Sequence, residues 1–540
     1  MRIGIAQINT CVNNVVFNKD KIISMLEKAG NENIDLCVFP ELSLTGYPLT
    51  DASFSSGFLN VVQVHLESLA QNSGNMWFIV GAPHKTSSAI YNAAYVMGEG
   101  KIQHIAHKSL LPNYDVFDER RYFSPDHSQP LVFNYKDKKI AVLICEDIWE
   151  DFVEEKHFKY ESDPLDQLEE EKVDLLVNIS ASPYYVGKEK IRQQVLQRAV
   201  KKLNCPMVYV NLVGGNDEIL FDGESTVVSA QGEIVQQSSK FTEGFSSFDL
   251  EKKSLSPIQT TYSEPVQILW QALCMGVKDF FTKTHQSKAI IGLSGGIDSA
   301  LVLAIACEAL GKENVTPIYM PSQYSAQISQ EGAEDLCKNL GIALNTIAID
   351  GLRTSFEQSL EQIFLGQQVN VTEENIQARI RGTLLMAYSN KFGGMVLNTS
   401  NKSELAVGYS TLYGDLIGGL SVIGDLYKHQ VYDLARWCNK QQEIIPQVII
   451  ERAPSAELRQ DQKDSDSLPH YDILDKVLYL YLEQLQSVKD IVDQGYDIEV
   501  VKKIVGLVNG SEFKRRQAPP IIKVSQKAFG IGRRHNIAIG

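Results

Sequence analysis

The chain has 540 residues, of which 51 are basic, 66 are acidic and 44% are hydrophobic, and its formal net charge is −15. This length exceeds that of an ordinary single core, so we expect two or more domains with the composition of a soluble globular protein. The negative charge argues against a general nucleic-acid binder, because such proteins need a basic surface.

The chain also shows features of an intracellular protein. Residues 1–7 pass directly into an apolar strand, without the long apolar core of a signal peptide. No apolar run approaches the length needed to cross a bilayer. Eight cysteines without a CxxC pair favour reduced thiols over disulfides or structural zinc. We therefore expect a cytoplasmic protein that does not bind a membrane.

Apolar runs in the first half predict strands separated by helices. The predicted strands are 3–8, 36–39, 77–80, 140–145, 175–179 and 207–210, and the predicted helices are 19–28 and 187–203. The acidic stretch 152–172 is predicted to be a solvated insertion. The polar stretch 251–257 indicates a linker, so we predict an N-terminal domain of residues 1–255 and a C-terminal domain of residues 256–540.

Three segments of the first half carry side chains that suit amide hydrolysis. Cys145 ends a predicted strand at a sharp turn, Glu41 follows a buried strand, and Lys108 begins a loop. Taken singly, Cys145 would be a small buried hydrophobe, and Glu41 with Lys108 a structural ion pair. A thiol with a carboxylate base and a cation for the oxyanion can together attack an amide.

These three segments, in this order, resemble the Glu–Lys–Cys triad of the nitrilase superfamily over nearly all of residues 1–250. The resemblance implies an α-β-β-α sandwich in which Cys145 is the nucleophile and Glu41 the general base. Lys108, oriented by Glu119, would stabilise the oxyanion together with the backbone N–H of Glu146. Glutamine-binding positions of nitrilase-type glutaminases match Tyr47, Tyr114, Phe117, Glu146, Ser182 and Lys188. The resemblance therefore implies hydrolysis of glutamine to glutamate and ammonia.

A glycine-rich turn in the second half reads Ser294-Gly295-Gly296-Ile297-Asp298-Ser299. It lies between a predicted strand, 289–293, and a predicted helix, 299–310. Further strands are predicted at 315–320, 344–349 and 395–399, which indicates a parallel sheet covered on both faces. Backbone N–H groups at a helix N-terminus favour anions, and Asp298 suits a Mg²⁺ ion that bridges carboxylate and phosphate. The lysine of a Walker A loop is missing, and a turn without any ligand is the alternative.

This turn resembles the pyrophosphate-binding loop of N-type ATP pyrophosphatases, and residues 260–530 resemble the NAD synthetase family. The resemblance implies a Rossmann-like α/β domain that adenylates deamido-NAD (nicotinic acid adenine dinucleotide) with ATP and Mg²⁺ and then amidates it. ATP-binding positions match Ser294, Gly295, Gly296, Asp298, Ser299, Arg379 and Thr399, and the Mg²⁺ carboxylates match Asp298 and Glu404. Deamido-NAD-binding positions match Asn375, Asp415, Lys428 and Lys514.

Two other interpretations compete with this one. The first is a different glutamine-dependent ligase, of the GMP or asparagine synthetase type, although those enzymes normally carry unrelated glutaminase domains. The second is a tRNA-modifying enzyme or nucleic-acid binder, which the acidic charge disfavours. We expect a homo-oligomeric enzyme whose partners are the small molecules glutamine, ATP and deamido-NAD, with no nucleic acid. Its two chemistries imply a closed passage for ammonia.

Overall fold

The structure is a computed structural model that describes residues 1–150, 160–251, 264–460, 462, 464–466 and 468–538. The chain forms two compact units, residues 1–262 and 263–540. The predicted junction at residues 255 and 256 lies outside the described residues, as do most of the predicted linker and residues 152–159 of the predicted insertion. Within the described residues, no helix combines the length and the apolar character that a membrane span requires.

Strands dominate the first unit. They are β1 (Arg2–Gln7), β2 (Leu36–Val38), β3 (Trp77–Lys85), β4 (Ile90–Gly98), β5 (Lys101–His107), β6 (Leu131–Tyr135), β7 (Lys138–Ile144), β8 (Leu175–Ser180), β9 (Met207–Asn211), β10 (Val213–Asn216), β11 (Ile219–Asp222), β12 (Thr226–Val228), β13 (Ile234–Gln237) and β14 (Gly244–Asp249). The helices are α1 (Val15–Asn31), α2 (Ser56–Gln71), α3 (Pro164–Leu168) and α4 (Lys188–Leu203). One six-stranded sheet has the order β14-β1-β2-β3-β4-β5, a second has the order β13-β12-β9-β8-β7-β6, and β10 pairs with β11.

The two large sheets of the first unit pack face to face, with helices on their outer faces. Side chains alternate along β8, so Leu175, Val177 and Ile179 enter the core between the sheets while Leu176 faces outward. Helices α1 and α2 cover the outer face of the first sheet, and α3 and α4 cover that of the second. The predicted α-β-β-α sandwich is confirmed.

The prediction of a solvated insertion at 152–172 was wrong for α3. Leu165 and Leu168 of this helix are 0% and 1% exposed and pack in the core below the second sheet. The Asp163 side chain accepts a hydrogen bond from the N–H of Leu165 and so caps the helix. The high acidic content of the segment led to the prediction of solvent exposure, although two apolar side chains on one helical face are buried.

The second unit is built around a five-stranded parallel sheet in the order β17-β16-β15-β18-β19. Its strands are β15 (Ala289–Gly292), β16 (Val315–Tyr319), β17 (Asn345–Thr346), β18 (Met395–Asn398) and β19 (Leu420–Ser421). Its helices are α5 (Pro265–Lys283), α6 (Ile297–Leu310), α7 (Gln327–Leu340), α8 (Asp350–Leu360), α9 (Val371–Phe392), α10 (Lys402–Val407), α11 (Lys428–Cys438), α12 (Gln447–Glu451), α13 (Tyr471–Leu482), α14 (Val488–Val492), α15 (Ile498–Gly510) and α16 (Glu512–Arg515).

The predicted parallel α/β sheet is confirmed, with differences at its edges. Helix α9 packs on the sheet, and α6 packs against β15 and β16. The predicted strand 344–349 contracts to two residues of β17, because the ladder with β16 ends at Thr346. Helix α6 begins at Ile297, two residues before its predicted start. The loops that follow β15 and β18 leave the carboxyl edge of the sheet, where open α/β sheets bind ligands.

Candidate active sites

The backbone at Cys145 is unusual and firmly held. Cys145 directly follows β7 with a left-handed φ of 45°, a conformation that non-glycine residues adopt only where the surroundings enforce it. The Asp147 carboxylate accepts hydrogen bonds from the N–H groups of Ile144 at 2.9 Å and Leu110 at 2.8 Å. It also accepts from Ser109 N–H at 3.0 Å, so one carboxylate ties the Cys145 turn to the segment after Lys108.

Lys108 lies at the centre of a buried charge cluster. Its Nζ is 2.7 Å from Glu41 Oε1 and 2.8 Å from Glu119 Oε1. Burial alone would lower the pKa of Lys108, but the charges of Glu119 and Glu41 outweigh it and raise the pKa well above its ordinary value. Burial raises the pKa of Glu119 to about 7 against the opposing charge of Lys108. The two carboxylates therefore favour the charged form of Lys108.

Glu41 is held by several donors and interacts electrostatically with the Cys145 thiol. Its Oε1 accepts a hydrogen bond from Asn92 Nδ2 at 2.7 Å, and its Oε2 accepts from the N–H of Ala181 at 2.8 Å. Burial raises the pKa of Cys145 well above its ordinary value, the charge of Glu41 raises it further, and Lys108 opposes both. The resting thiol is therefore neutral and needs a base to attack.

The aromatic residues predicted to bind glutamine belong to the same cluster. The Tyr47 hydroxyl donates to Glu119 Oε1 at 2.8 Å, and the Tyr114 hydroxyl donates to Glu146 Oε2 at 3.0 Å. Phe117 packs edge-on against Tyr114 with ring centroids 5.3 Å apart. All three rings therefore connect to the carboxylates of this site.

The other predicted pocket residues follow β8. Ser182 is buried, and its N–H donates to Asn211 Oδ1 at 2.8 Å. Lys188 begins α4, with Nζ 5.4 Å from the ring centroid of Trp149 and 5.3 Å from that of Tyr185. These contacts fix the directions in which Ser182 and Lys188 reach.

Sequence reasoning missed Tyr160 in this site. Its hydroxyl donates to Glu146 Oε1 at 3.1 Å, beside the hydrogen bond from Tyr114. Tyr160 lies in the acidic stretch that was predicted to be solvated, so no pattern indicated it. Two hydroxyl donors therefore hold the Glu146 carboxylate in the structure.

In the second unit, the glycine-rich turn after β15 has a fixed shape. Gly295 has a φ of +81°, and a Cβ atom there would lie 2.3 Å from the carbonyl oxygen of Ser329. The hydroxyl oxygens of Ser294 and Ser299 lie 3.1 Å apart, and Ser294 Oγ accepts from the N–H of Gly296 at 3.2 Å. Within the described residues no side chain caps α6 at Gly296, so N–H groups of its first turn can meet an anion.

Two carboxylates from different helices meet at this turn. Lys428 Nζ lies 2.6 Å from Asp298 Oδ2 and 3.2 Å from Glu404 Oε1. Asn401 Nδ2 donates to Asp298 Oδ1 at 2.8 Å. Burial raises the pKa of Glu404 to about 8, with Lys428 opposing the shift and Asp298 adding to it. Asp298 and Glu404 therefore already share one cation, the Lys428 ammonium.

These carboxylates fit a magnesium ion in one particular way. In the described parts of the chain, no three His, Cys, Asp or Glu side chains are arranged to hold a metal ion. Mg²⁺ is commonly bound by one or two carboxylates, with substrate phosphates and water supplying its other oxygens. Asp298 and Glu404, next to a turn whose N–H groups can meet an anion, match that pattern.

A cavity of about 290 Å³ lies over the turn. Its lining contains most of the residues predicted for ATP and magnesium, and two of those predicted for deamido-NAD. The predicted residues that line it are Ser294, Gly295, Gly296, Asp298, Ser299, Thr399, Glu404, Asp415 and Lys428. Asp464 and Arg381 also line it and were not predicted; Arg381 Nε donates to the carbonyl oxygen of Met320 at 3.0 Å.

Arg379 lies apart from this cavity. It is exposed, and its Nε donates to the carbonyl oxygen of Leu412 at 3.2 Å. It is absent from the described cavity lining, whereas Arg381 is present. An ATP contact of Arg379 therefore stays a prediction.

The remaining predicted residues surround the loop 408–415. Asn375 Oδ1 accepts from the Thr411 hydroxyl at 2.7 Å, and Asp415 Oδ1 accepts from the Thr411 N–H at 2.6 Å. Lys514 Nζ donates to the carbonyl oxygens of Gly408 at 2.7 Å and Ser410 at 2.8 Å. Asn375, Asp415 and Lys514 therefore lie around one loop, which borders the cavity through Asp415.

Comparisons with known proteins match both units. The chain matches the family model for carbon-nitrogen hydrolase over residues 2–259 and that for NAD synthase over residues 269–518. It is 45% identical to the glutamine-dependent NAD(+) synthetase of Synechocystis sp., with 99% of this chain and 98% of the relative covered. It is 40% identical to the enzyme of that name from Thermotoga maritima, with 98% of this chain and 97% of the relative covered.

Solved structures agree with these matches. The chain superposes on glutamine-dependent NAD+ synthetase from Acinetobacter baumannii with a TM-score of 0.79 and 38% identity, covering 99% of this chain and 98% of that one. A glutamine-dependent NAD(+) synthetase from Cytophaga hutchinsonii, 21% identical, shares the fold with a TM-score of 0.85 over 99% of this chain and 97% of that one.

Proposed function

The chain belongs to the family of glutamine-dependent NAD(+) synthetases, and we propose that it makes NAD from deamido-NAD, ATP and glutamine. The first unit hydrolyses glutamine to glutamate and ammonia. The second unit adenylates deamido-NAD with release of pyrophosphate, and ammonia then displaces AMP. The observation that carries the proposal is the buried ion pair of Lys108 Nζ and Glu41 Oε1, 2.7 Å apart, both of which interact electrostatically with Cys145.

In the first unit, Cys145 attacks the amide carbon of glutamine. Glu41 accepts the thiol proton and passes it to the departing ammonia. Loss of ammonia leaves a thioester on Cys145. Lys108 and the N–H of Glu146 stabilise the negative oxygen of the tetrahedral intermediate. Water, activated by Glu41, then releases glutamate. Glutamine would be held by Tyr47, Tyr114, Phe117, Glu146, Ser182 and Lys188.

In the second unit, the nicotinate carboxylate of deamido-NAD attacks the α-phosphorus of ATP. The backbone N–H groups of the turn bind the departing pyrophosphate. This turn is formed by Ser294, Gly295, Gly296 and Ser299. Asp298 and Glu404 would hold a Mg²⁺ ion, which supplies charge neutralisation for the phosphates. Arg379 and Thr399 would bind ATP, and Asn375, Asp415, Lys428 and Lys514 would bind deamido-NAD.

We also propose that the protein works in the cytoplasm as a homo-oligomer, with its domain junction at residues 255 and 256. All eight cysteines lie in the described part of the chain and are unpaired, which supports a reducing compartment. Helix α8, which is described throughout, buries none of its side chains and exposes Leu352 and Phe356. An amphipathic helix with an uncovered apolar face supports a contact between subunits.

One assay tests the proposal directly. Purified protein is incubated with deamido-NAD, ATP and Mg²⁺, with either glutamine or ammonium as the nitrogen donor, and NAD, AMP and pyrophosphate are measured. We expect all three products in equal amounts with both donors, and glutamate only with glutamine. Xanthosine monophosphate and aspartate serve as alternative acceptors, and amidation of either instead of deamido-NAD would contradict the proposal.

A further inference from the structure

Two residues of the predicted glutamine pocket come from different elements. Ser182 lies in the loop after β8, and Lys188 is the first residue of α4. We propose that the buried ion pair of Arg192 and Asp222 holds these two residues at a fixed separation and so positions the pocket for the amino-acid end of glutamine. Arg192 and Asp222 are positioning residues, and their role rests on the proposed function of the first unit.

Asn211 clamps the main chain of Ser182. Its Oδ1 accepts from the N–H of Ser182 at 2.8 Å, and its Nδ2 donates to the carbonyl oxygen of Ser182 at 3.4 Å. The same Nδ2 donates to the carbonyl oxygen of Gly223 at 3.0 Å and to Asp222 Oδ1 at 3.3 Å. The orientation of this one buried amide therefore sets the orientation of the Ser182 peptide groups.

Asp222 connects that amide to the helix that carries Lys188. The oxygen of Asp222 that accepts from Asn211 also lies 2.8 Å from Arg192 Nη2. Arg192 lies one helical turn after Lys188, and residues spaced in this way lie on the same helix face. Glu224 Oε2, 3.3 Å from Arg192 Nη1, holds the other arm of the guanidinium. A continuous chain of contacts thus runs from Ser182 through Asn211 and Asp222 to α4.

The energetics of the pair favour a positioning role over a stabilising one. The side chains of Arg192 and Asp222 are 2% and 1% exposed, and buried ion pairs contribute little net stability after desolvation. Within the described structure, Arg192 Nε and Asp222 Oδ2 are buried without a hydrogen-bond partner, which costs further free energy. What the pair does provide is a directional contact that fixes the distance between two pocket elements.

This role predicts a selective defect. Under this proposal Ser182 and Lys188 bind the amino-acid end of glutamine, since the Lys188 ammonium suits its α-carboxylate, whereas the reactivity of Cys145 depends on Glu41 and Lys108. Loss of the pair should therefore weaken reactions of ligands that carry the amino-acid group and leave the intrinsic reactivity of the thiol unchanged.

The test compares two alkylating agents with which the sulfur of Cys145 forms a carbon–sulfur bond while chloride leaves to solvent and Glu41 takes the thiol proton. One is chloroacetamide, and the other is a chloromethyl ketone analogue of glutamine that carries the α-amino and α-carboxylate groups. We expect Asp222→Ala to lower the rate constant for the analogue about tenfold or more, and that for chloroacetamide less than about twofold. The KM for glutamine should rise in proportion, with ammonium-driven NAD formation unchanged.

The control is Asp163→Ala on the same unit. Asp163 binds Arg198 at 2.8 Å and Lys202 at 3.0 Å, both later on α4, and has no bond to the Ser182 clamp in the described structure. This variant removes a carboxylate that binds the same helix at a distance from the clamp, so we expect neither alkylation rate to change by more than about twofold.

Two results would overturn the inference: equal losses with both reagents in Asp222→Ala, or unchanged rates with both. If Asp222→Ala does not give a folded protein, Arg192→Lys decides by the same pair of rates, because it keeps the buried charge and loses the planar fork. Failure of the proposed function would look different. Wild-type protein would then show no preference for the glutamine analogue and release no glutamate, whatever the variants do.

Discussion

The ammonium nitrogen of Lys428 lies 2.6 Å from Asp298 Oδ2, although 130 residues separate the two in the chain. Asp298 is in the first turn of α6, Lys428 begins α11, and Glu404 of α10 reaches the same nitrogen at 3.2 Å. Side chains from three helices therefore meet at the Lys428 ammonium group in the lining of the cavity. A neutral side chain at Asp298 would disturb both the charge and the hydrogen bonds around this group.

We expect Asp298→Asn to stop NAD formation with glutamine and with ammonium alike. Both donors depend on the same adenylation step, and the variant loses a charge next to the turn that we propose to bind pyrophosphate. Pyrophosphate release in the presence of ammonium measures that step directly. The control is Asp433→Asn on α11, whose side chain is 60% exposed and which should keep wild-type activity. A wild-type pyrophosphate rate in Asp298→Asn would remove Asp298 from the mechanism.

Cys145→Ala should affect synthesis with only one of the two nitrogen donors. We expect it to abolish glutamine-driven synthesis and to leave ammonium-driven synthesis nearly intact, because in the proposed mechanism the thiol takes part only in releasing ammonia from glutamine. NAD formation with each donor is the measurement. Cys205→Ala provides the control, since Cys205 is buried in the same unit and burial raises its pKa to about 12. Glutamine-driven activity in purified Cys145→Ala would mean that Cys145 is structural.

Those parts of each site that lie directly after a strand could be predicted from the sequence. Cys145 directly follows β7, and the turn at Ser294 follows β15, so a strand, a turn and reactive side chains occur together in the sequence. The resemblance to the nitrilase superfamily implied the sandwich, whereas the parallel sheet followed from the alternation of apolar runs and helices, because buried parallel strands form continuous apolar runs.

Other features could not be predicted because they depend on contacts between distant segments. The bond from Tyr160 to Glu146 and the cavity position of Arg381 require the folded chain. Strand β19 has two residues and leaves no periodic pattern. Helix α3 is short and is flanked by the acidic residues Asp163 and Glu169–Glu171, so Leu165 and Leu168 gave no signal despite their burial.

The release of glutamate should fall as the pH drops through about 7. Burial raises the pKa of Glu119 to about 7, so Glu119 is charged above that pH and accepts from Lys108 at 2.8 and 2.9 Å. Below it, Glu119 is protonated and its hold on Lys108 weakens, while the oxyanion still needs Lys108 in place. Because Glu119, Glu41 and Lys108 interact closely, the apparent pKa belongs to the cluster.

The measurement for this prediction is the pH dependence of kcat/KM for glutamine. We expect Glu119→Gln to lower the rate above the transition and to shift or remove the acidic limb of the profile. Glu218→Gln is a matched control, because burial raises the pKa of Glu218 to about 7 as well. An identical acidic limb in Glu119→Gln and wild type would exclude Glu119 as its source.

The last prediction concerns the stability of the second unit. Lys402 is fully buried, with Nζ 3.0 Å from Asp425 Oδ1 and 2.9 Å from Glu483 Oε1. Lys402→Met leaves two buried carboxylates without their cation, so we expect a loss of roughly 3–5 kcal/mol in the free energy of unfolding. Lys440→Met breaks the exposed pair with Glu264 and should cost less than about 1 kcal/mol. Denaturant unfolding of the full chain, monitored by the loss of ammonium-driven activity, gives the free energy of unfolding of each variant.

The double variant Lys402→Met with Glu483→Gln should recover part of the loss, because it removes one of the uncompensated charges. Equal effects of the two lysine substitutions, or no recovery in the double variant, would show that the buried charges at Lys402 do not determine the stability of this unit.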